Sequence, residues 1–160
     1  MPPPLPERAL ARDWLVQVRW GAALGQLATA GFAAFALEYP LPLAAVAALI
    51  GATAFTNLVL PRLDHPLALP AAVVVDLLVL TALLALTGGA SNPFSVLYLL
   101  HVALAAVLLG PTWTWVVTLL ASAGFGSLFF FTDPHAMHRG EGLVAAHLWG
   151  MWLALAATGA

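Results

Sequence analysis

Apolar residues come along this chain in long uninterrupted runs, and polar residues gather in short clusters between them. Six runs stand out, at about 14–37, 43–60, 67–87, 93–109, 112–131 and 143–160. Each is close to the roughly 20 residues a helix needs to cross the hydrocarbon core of a bilayer. The runs are continuous and rich in Leu and Ala, whereas membrane-barrel strands alternate and are about half as long. Breakers separate the runs: Pro40 and Pro42, Pro61 and Pro66, Gly88 and Gly89, Gly110-Pro111, and the polar stretch from Asp133 to Gly142. The pattern predicts an all-α fold, a polytopic integral membrane bundle of six transmembrane helices preceded by a short tail, residues 1–13.

Composition strengthens that reading. The chain has 160 residues, 62% hydrophobic and 8% charged, with mean hydropathy +0.98. Soluble domains carry about 25% charged residues. The five basic residues are all arginine and the formal net charge is −2, so no basic surface exists for nucleic acid. There are no cysteines, which excludes disulfides and thiolate metal sites within the chain. The apolar run after the tail is too long for a cleaved leader and reads as an uncleaved anchor.

Arginine placement predicts orientation. With the N-terminus inside, Arg8, Arg12, Arg19 and Arg62 face the cytoplasm and Arg139 faces out, in accord with the positive-inside rule. Both termini are then cytoplasmic. Arg19, near the start of its run, is expected to snorkel toward the headgroups beside Trp14 and Trp20. Residues 143–160 give roughly 27 Å of helix, with nothing polar after them as an anchor. The natural protein is therefore expected to continue inward.

The stretch with the most chemical potential is Gly88-Gly89-Ala90-Ser91-Asn92-Pro93-Phe94. Asn92 followed by Pro93 reads as an N-cap and a first-turn proline, so a helix should begin there. Hydrogen-bonding groups beside an aromatic ring could hold a flat carbonyl-bearing ligand such as a quinone headgroup. The same residues could equally turn a plain helical hairpin.

The motif Gly88-Gly89-x-x-Asn92-Pro93-Phe94 resembles that of the RegB/PrrB-type (ActS-like) redox-responsive sensor histidine kinases. Arg19-Trp20 and Gly25-Gln26 are similar to that family's opening helix. The resemblance implies a periplasmic loop that binds ubiquinone through Gly88, Gly89, Asn92, Pro93 and Phe94. It implies further a homodimer that signals to a cytoplasmic kinase and, through it alone, to a cognate response regulator. The family's phosphoacceptor histidine, nucleotide-binding domain and redox cysteine fall outside this sequence, so the chain itself should have no enzymatic activity.

Other polar residues remain open. Asp76 lies near the middle of the third run, about 18 Å of helix rise from Gly88, where a carboxylate either relays protons or fixes packing. His101, two turns after Phe94, could bond a quinone carbonyl or serve as an interior histidine. His101 and His147 together are the minimum for a bis-imidazole haem, giving a small b-type cytochrome as an alternative. A small transporter is a third class, although only one interrupted region appears. Asp133, His135, His138 and Glu141 have metal-like spacing but read as a solvated loop, and no metal is expected. Gly21 and Gly25, and Ser122 and Gly126, have the spacing of close helix packing.

Overall fold

The computed structural model describes residues 5–36, 38 and 40–130. The described residues form five α-helices and no strand: α1 (Leu5–Phe35), α2 (Leu43–Val59), α3 (Ala68–Leu86), α4 (Leu97–Leu108) and α5 (Pro111–Leu128). The expected sixth span, residues 143–160, lies outside the described residues, as do Asp133, His135, His138, Glu141 and His147. The chain divides into two compact units, Met1–Ala72 and Val73–Ala160.

The first unit is built on α1 packed against α2. Leu15, Arg19 and Ala23 are buried at intervals of four on α1. On α2 and the 3₁₀ turn that extends it, Val46, Ile50, Thr53, Asn57 and Leu60 are buried at alternating intervals of four and three. That is the seam spacing of two helices packed along their length. Helix α1 begins at Leu5, nine residues ahead of the expected span, because nothing after Pro6 interrupts it and the charged residues of this segment are compatible with a helix.

In the second unit, α4 packs against α5. The expected fourth span is realised as a 3₁₀ turn, Pro93–Val96, that leads directly into the 12-residue α4. Together they rise about 26 Å. Gly110 adopts φ +85° between α4 and α5, a conformation that favours glycine, and Pro111 opens α5 at its first position.

The outward faces are apolar. Leu24, Phe32 and Phe55 in the first unit, and Val107, Leu119 and Phe130 in the second, are all exposed. A surface of this kind suits lipid rather than water. The segments Leu43–Arg62 and Ala68–Leu86 are each long and apolar enough to cross a bilayer.

Candidate functional site

The loop between α3 and α4 is a closed hydrogen-bonded clasp. Gly88 and Gly89 take φ +125° and +64°, angles that a side chain would strain. They let the chain leave α3 and enter a 3₁₀ turn, Gly89–Ser91, which packs on α5 and buries Ala90 completely. Asn92 fastens the clasp. Its Nδ2 donates to the carbonyl oxygen of Thr87 at 3.0 Å and to Thr87 Oγ1 at 2.8 Å. Its Oδ1 accepts from the Phe94 amide at 2.9 Å, which is the N-cap bond expected of an Asn before a first-turn proline. Thr87 Oγ1 donates in turn to the Leu83 carbonyl at 2.7 Å.

Gly88, Gly89, Asn92, Pro93 and Phe94 thus belong to one folded loop. The amide hydrogens of Asn92 have their acceptors on Thr87. Phe94 is 45% exposed and presents its ring outward from the start of the 3₁₀ turn. His101 is half-buried two turns further on. Its Nδ1 lies 2.8 Å from the Leu97 carbonyl. Asp76 is half-buried on α3 and is engaged by an interaction of its own. No cluster of potential metal ligands occurs among the described residues.

Beneath the loop is a contact that the spacing of small residues did not reveal. Tyr98, one turn after Phe94, is 1% exposed, and its hydroxyl lies 2.8 Å from Thr81 Oγ1 on α3. Thr81 donates its own hydrogen to the Leu77 carbonyl at 2.8 Å, so Tyr98 is the donor to Thr81. Helix α5 meets this pair at Gly124. A Cβ there would sit 2.9 Å from Thr81 Oγ1 and 3.2 Å from the Tyr98 hydroxyl. Phe125 follows, its ring centroid 5.9 Å from that of Tyr98. The glycine that lets three helices converge is therefore Gly124, between the expected Ser122 and Gly126.

One expectation is corrected in the first unit. Arg19 does not snorkel. It is 3% exposed, with Nη2 donating to Thr56 Oγ1 at 2.6 Å and Nη1 to Asn57 Oδ1 at 3.3 Å. Asn57 Nδ2 returns a bond to the Val16 carbonyl at 3.0 Å. A guanidinium with five donors finds better partners in this polar pair on α2 than along its own helix. The signal was present: Thr56 and Asn57 are adjacent polar residues, one turn after Thr53, in a run that is apolar elsewhere. Gly21 and Gly25 meet no close neighbour among the described residues. Nothing lies within 4 Å of a Cβ at either, because they occupy the face of α1 opposite Leu15, Arg19 and Ala23.

An all-helical chain with apolar outward faces and a compact polar loop between two of its helices has the design of a membrane-embedded domain. Residues 26–156 match the family model described as the PilS-like transmembrane domain. The chain is also 30% identical over 156 residues to Sensor histidine kinase RegB of Cereibacter sphaeroides, a match taking in 89% of this chain and 34% of that protein. It belongs to the PilS-like transmembrane domain family and is a membrane sensor domain of the RegB/PrrB type. It spans about a third of the length of the curated relative it matches. No solved structure matches it.

Proposed function

We propose that the chain is the six-span redox-sensing input domain of a two-component sensor histidine kinase, and that it binds ubiquinone at the loop 88–94. The observation that carries this reading is the folded state of the motif: a clasp closed by Asn92 that leaves the Phe94 ring exposed. A rigid loop with an outward aromatic ring suits a flat ligand arriving from the lipid. The likeness to a relative named as a sensor histidine kinase supports the kinase assignment.

Oxidised and reduced quinone, bound with different affinity, would bias two arrangements of the helices. The bias passes through the last span to a dimeric cytoplasmic kinase, and from there to its response regulator. The loop lies on the periplasmic side and both termini lie in the cytoplasm. The domain has no catalytic residue of its own.

Phe94 is the residue to change. Asn92→Ala would leave Thr87 and the Phe94 amide without their partners and so would disturb the loop as well as any ligand. Phe94→Ala removes an exposed ring and keeps the backbone amide that Asn92 holds. Equilibrium binding of a short-chain ubiquinone to the purified domain in lipid nanodiscs should weaken about tenfold in Phe94→Ala, the worth of a buried aromatic contact of about 1.5 kcal/mol. Unchanged affinity would remove the ring from the site.

A further inference from the structure

Thr87 stands just ahead of the glycine pair, one residue beyond the end of α3, and its bonds join that helix to the loop. A helix leaves its last four carbonyls without partners of its own. The Leu83 carbonyl is one of these, because the Thr87 amide bonds the Leu84 carbonyl at 3.1 Å instead. The Thr87 hydroxyl takes its place, donating to the Leu83 carbonyl at 2.7 Å. With its hydrogen placed there, Thr87 Oγ1 can only accept, and it accepts from Asn92 Nδ2 at 2.8 Å. The Thr87 carbonyl accepts from the same nitrogen at 3.0 Å.

These bonds decide which way the Asn92 amide points. An Asn side chain has nearly the same shape with its oxygen and nitrogen exchanged, so its partners choose between the two orientations. Both groups that Thr87 offers are acceptors, which holds the Nδ2 end against the close of α3. Oδ1 then faces the other way, where it accepts from the Phe94 amide at 2.9 Å. The result is one polar relay, from the Leu83 carbonyl through the Thr87 hydroxyl and the Asn92 amide to the backbone of Phe94.

We infer that Thr87 is a positioning residue of the ligand site: its hydroxyl orients the Asn92 amide and, through it, fixes the backbone that presents the Phe94 ring. Thr87 touches no ligand in this role. The inference rests on the quinone-binding reading given above and adds to the site a residue outside the Gly-Gly-x-x-Asn-Pro-Phe motif. Valine has nearly the shape of threonine without the hydroxyl. Thr87→Val would take the donor from the Leu83 carbonyl and one of the two acceptors from Asn92 Nδ2. The Thr87 carbonyl stays, so the clasp loosens rather than opens. Thr87→Ser keeps every one of these bonds.

The test is a double-mutant cycle on equilibrium binding of short-chain ubiquinone to the purified domain in nanodiscs. Thr87→Val should weaken binding roughly three- to tenfold, and Thr87→Ser should stay within about twofold of wild type. In a Phe94→Ala background Thr87→Val should cause no further loss, because the ring through which Thr87 acts is gone. Unchanged affinity in Thr87→Val, the same loss in Thr87→Ser, or an equal further loss in the Phe94→Ala background would overturn the inference and leave the binding site itself standing. Failure of wild type to bind ubiquinone would overturn the quinone reading and the inference with it. Hydrogen exchange at the Phe94 amide checks the relay without a ligand. It should be faster in Thr87→Val than in wild type, with the amides of α4 unchanged. Equal rates at Phe94, or acceleration spread through α4, would contradict the mechanism.

Discussion

At the scale of single residues, Gly124 shows how a site can depend on a side chain that is absent. Tyr98 ties α4 to α3 through Thr81, and α5 closes on that pair because position 124 has no Cβ. Gly124→Ala would force a methyl group to 2.9 Å from Thr81 Oγ1, and such overpacking costs about 1–3 kcal/mol. The variant should show a lower thermal unfolding midpoint in detergent, and adding Thr81→Ala should recover part of the loss by clearing the oxygen. Additive effects of the two changes would argue against the contact. This residue was hidden in the sequence because helical spacing identifies small residues but not the ones that meet a bulky partner. Ser122 and Gly126 have the familiar spacing, whereas the partner that selects Gly124 is a tyrosine 26 positions earlier. Asn92 was legible as a cap, since Asn before Pro has few other uses at a helix start. Its second bond set, to Thr87, required the two glycines to turn the chain back first.

At the scale of elements, breakers and caps were read well from the sequence and the direction of polar side chains was read poorly. Gly110-Pro111 and Asn92-Pro93 mark where helical structure starts because their backbone chemistry is local. Arg19 is different. Its position near one end of an apolar run made the headgroups an available partner, and the choice was decided by Thr56 and Asn57 on the next helix. Those bonds join α1 to α2 across a seam whose other buried residues, Thr53 apart, are apolar. Asn57→Leu would take an acceptor from the guanidinium and a donor from the Val16 carbonyl. Hydrogen bonds to charged groups contribute about 1.5–3 kcal/mol, so this variant should lower the thermal midpoint and speed hydrogen exchange along α1 near Val16. Exchange as slow as in wild type would show that the apolar contacts alone hold the pair.

At the scale of the molecule, every residue of the loop site and of the Tyr98 contact beneath it belongs to one compact unit, Val73–Ala160. The all-helical character and the membrane setting were legible because a bilayer imposes long apolar runs that composition alone reveals. The ligand was not, since a turn motif and a binding motif use the same residues. The central claim is that ubiquinone binds at the loop between α3 and α4, and photoaffinity labelling tests it most directly. The purified domain in nanodiscs would be labelled with an azido-ubiquinone, digested, and mapped by mass spectrometry. The label should fall within residues 87–101, should be competed by unmodified ubiquinone, and should diminish in Phe94→Ala. Competable labelling confined to another segment, or labelling of 87–101 that excess ubiquinone does not displace, would contradict it.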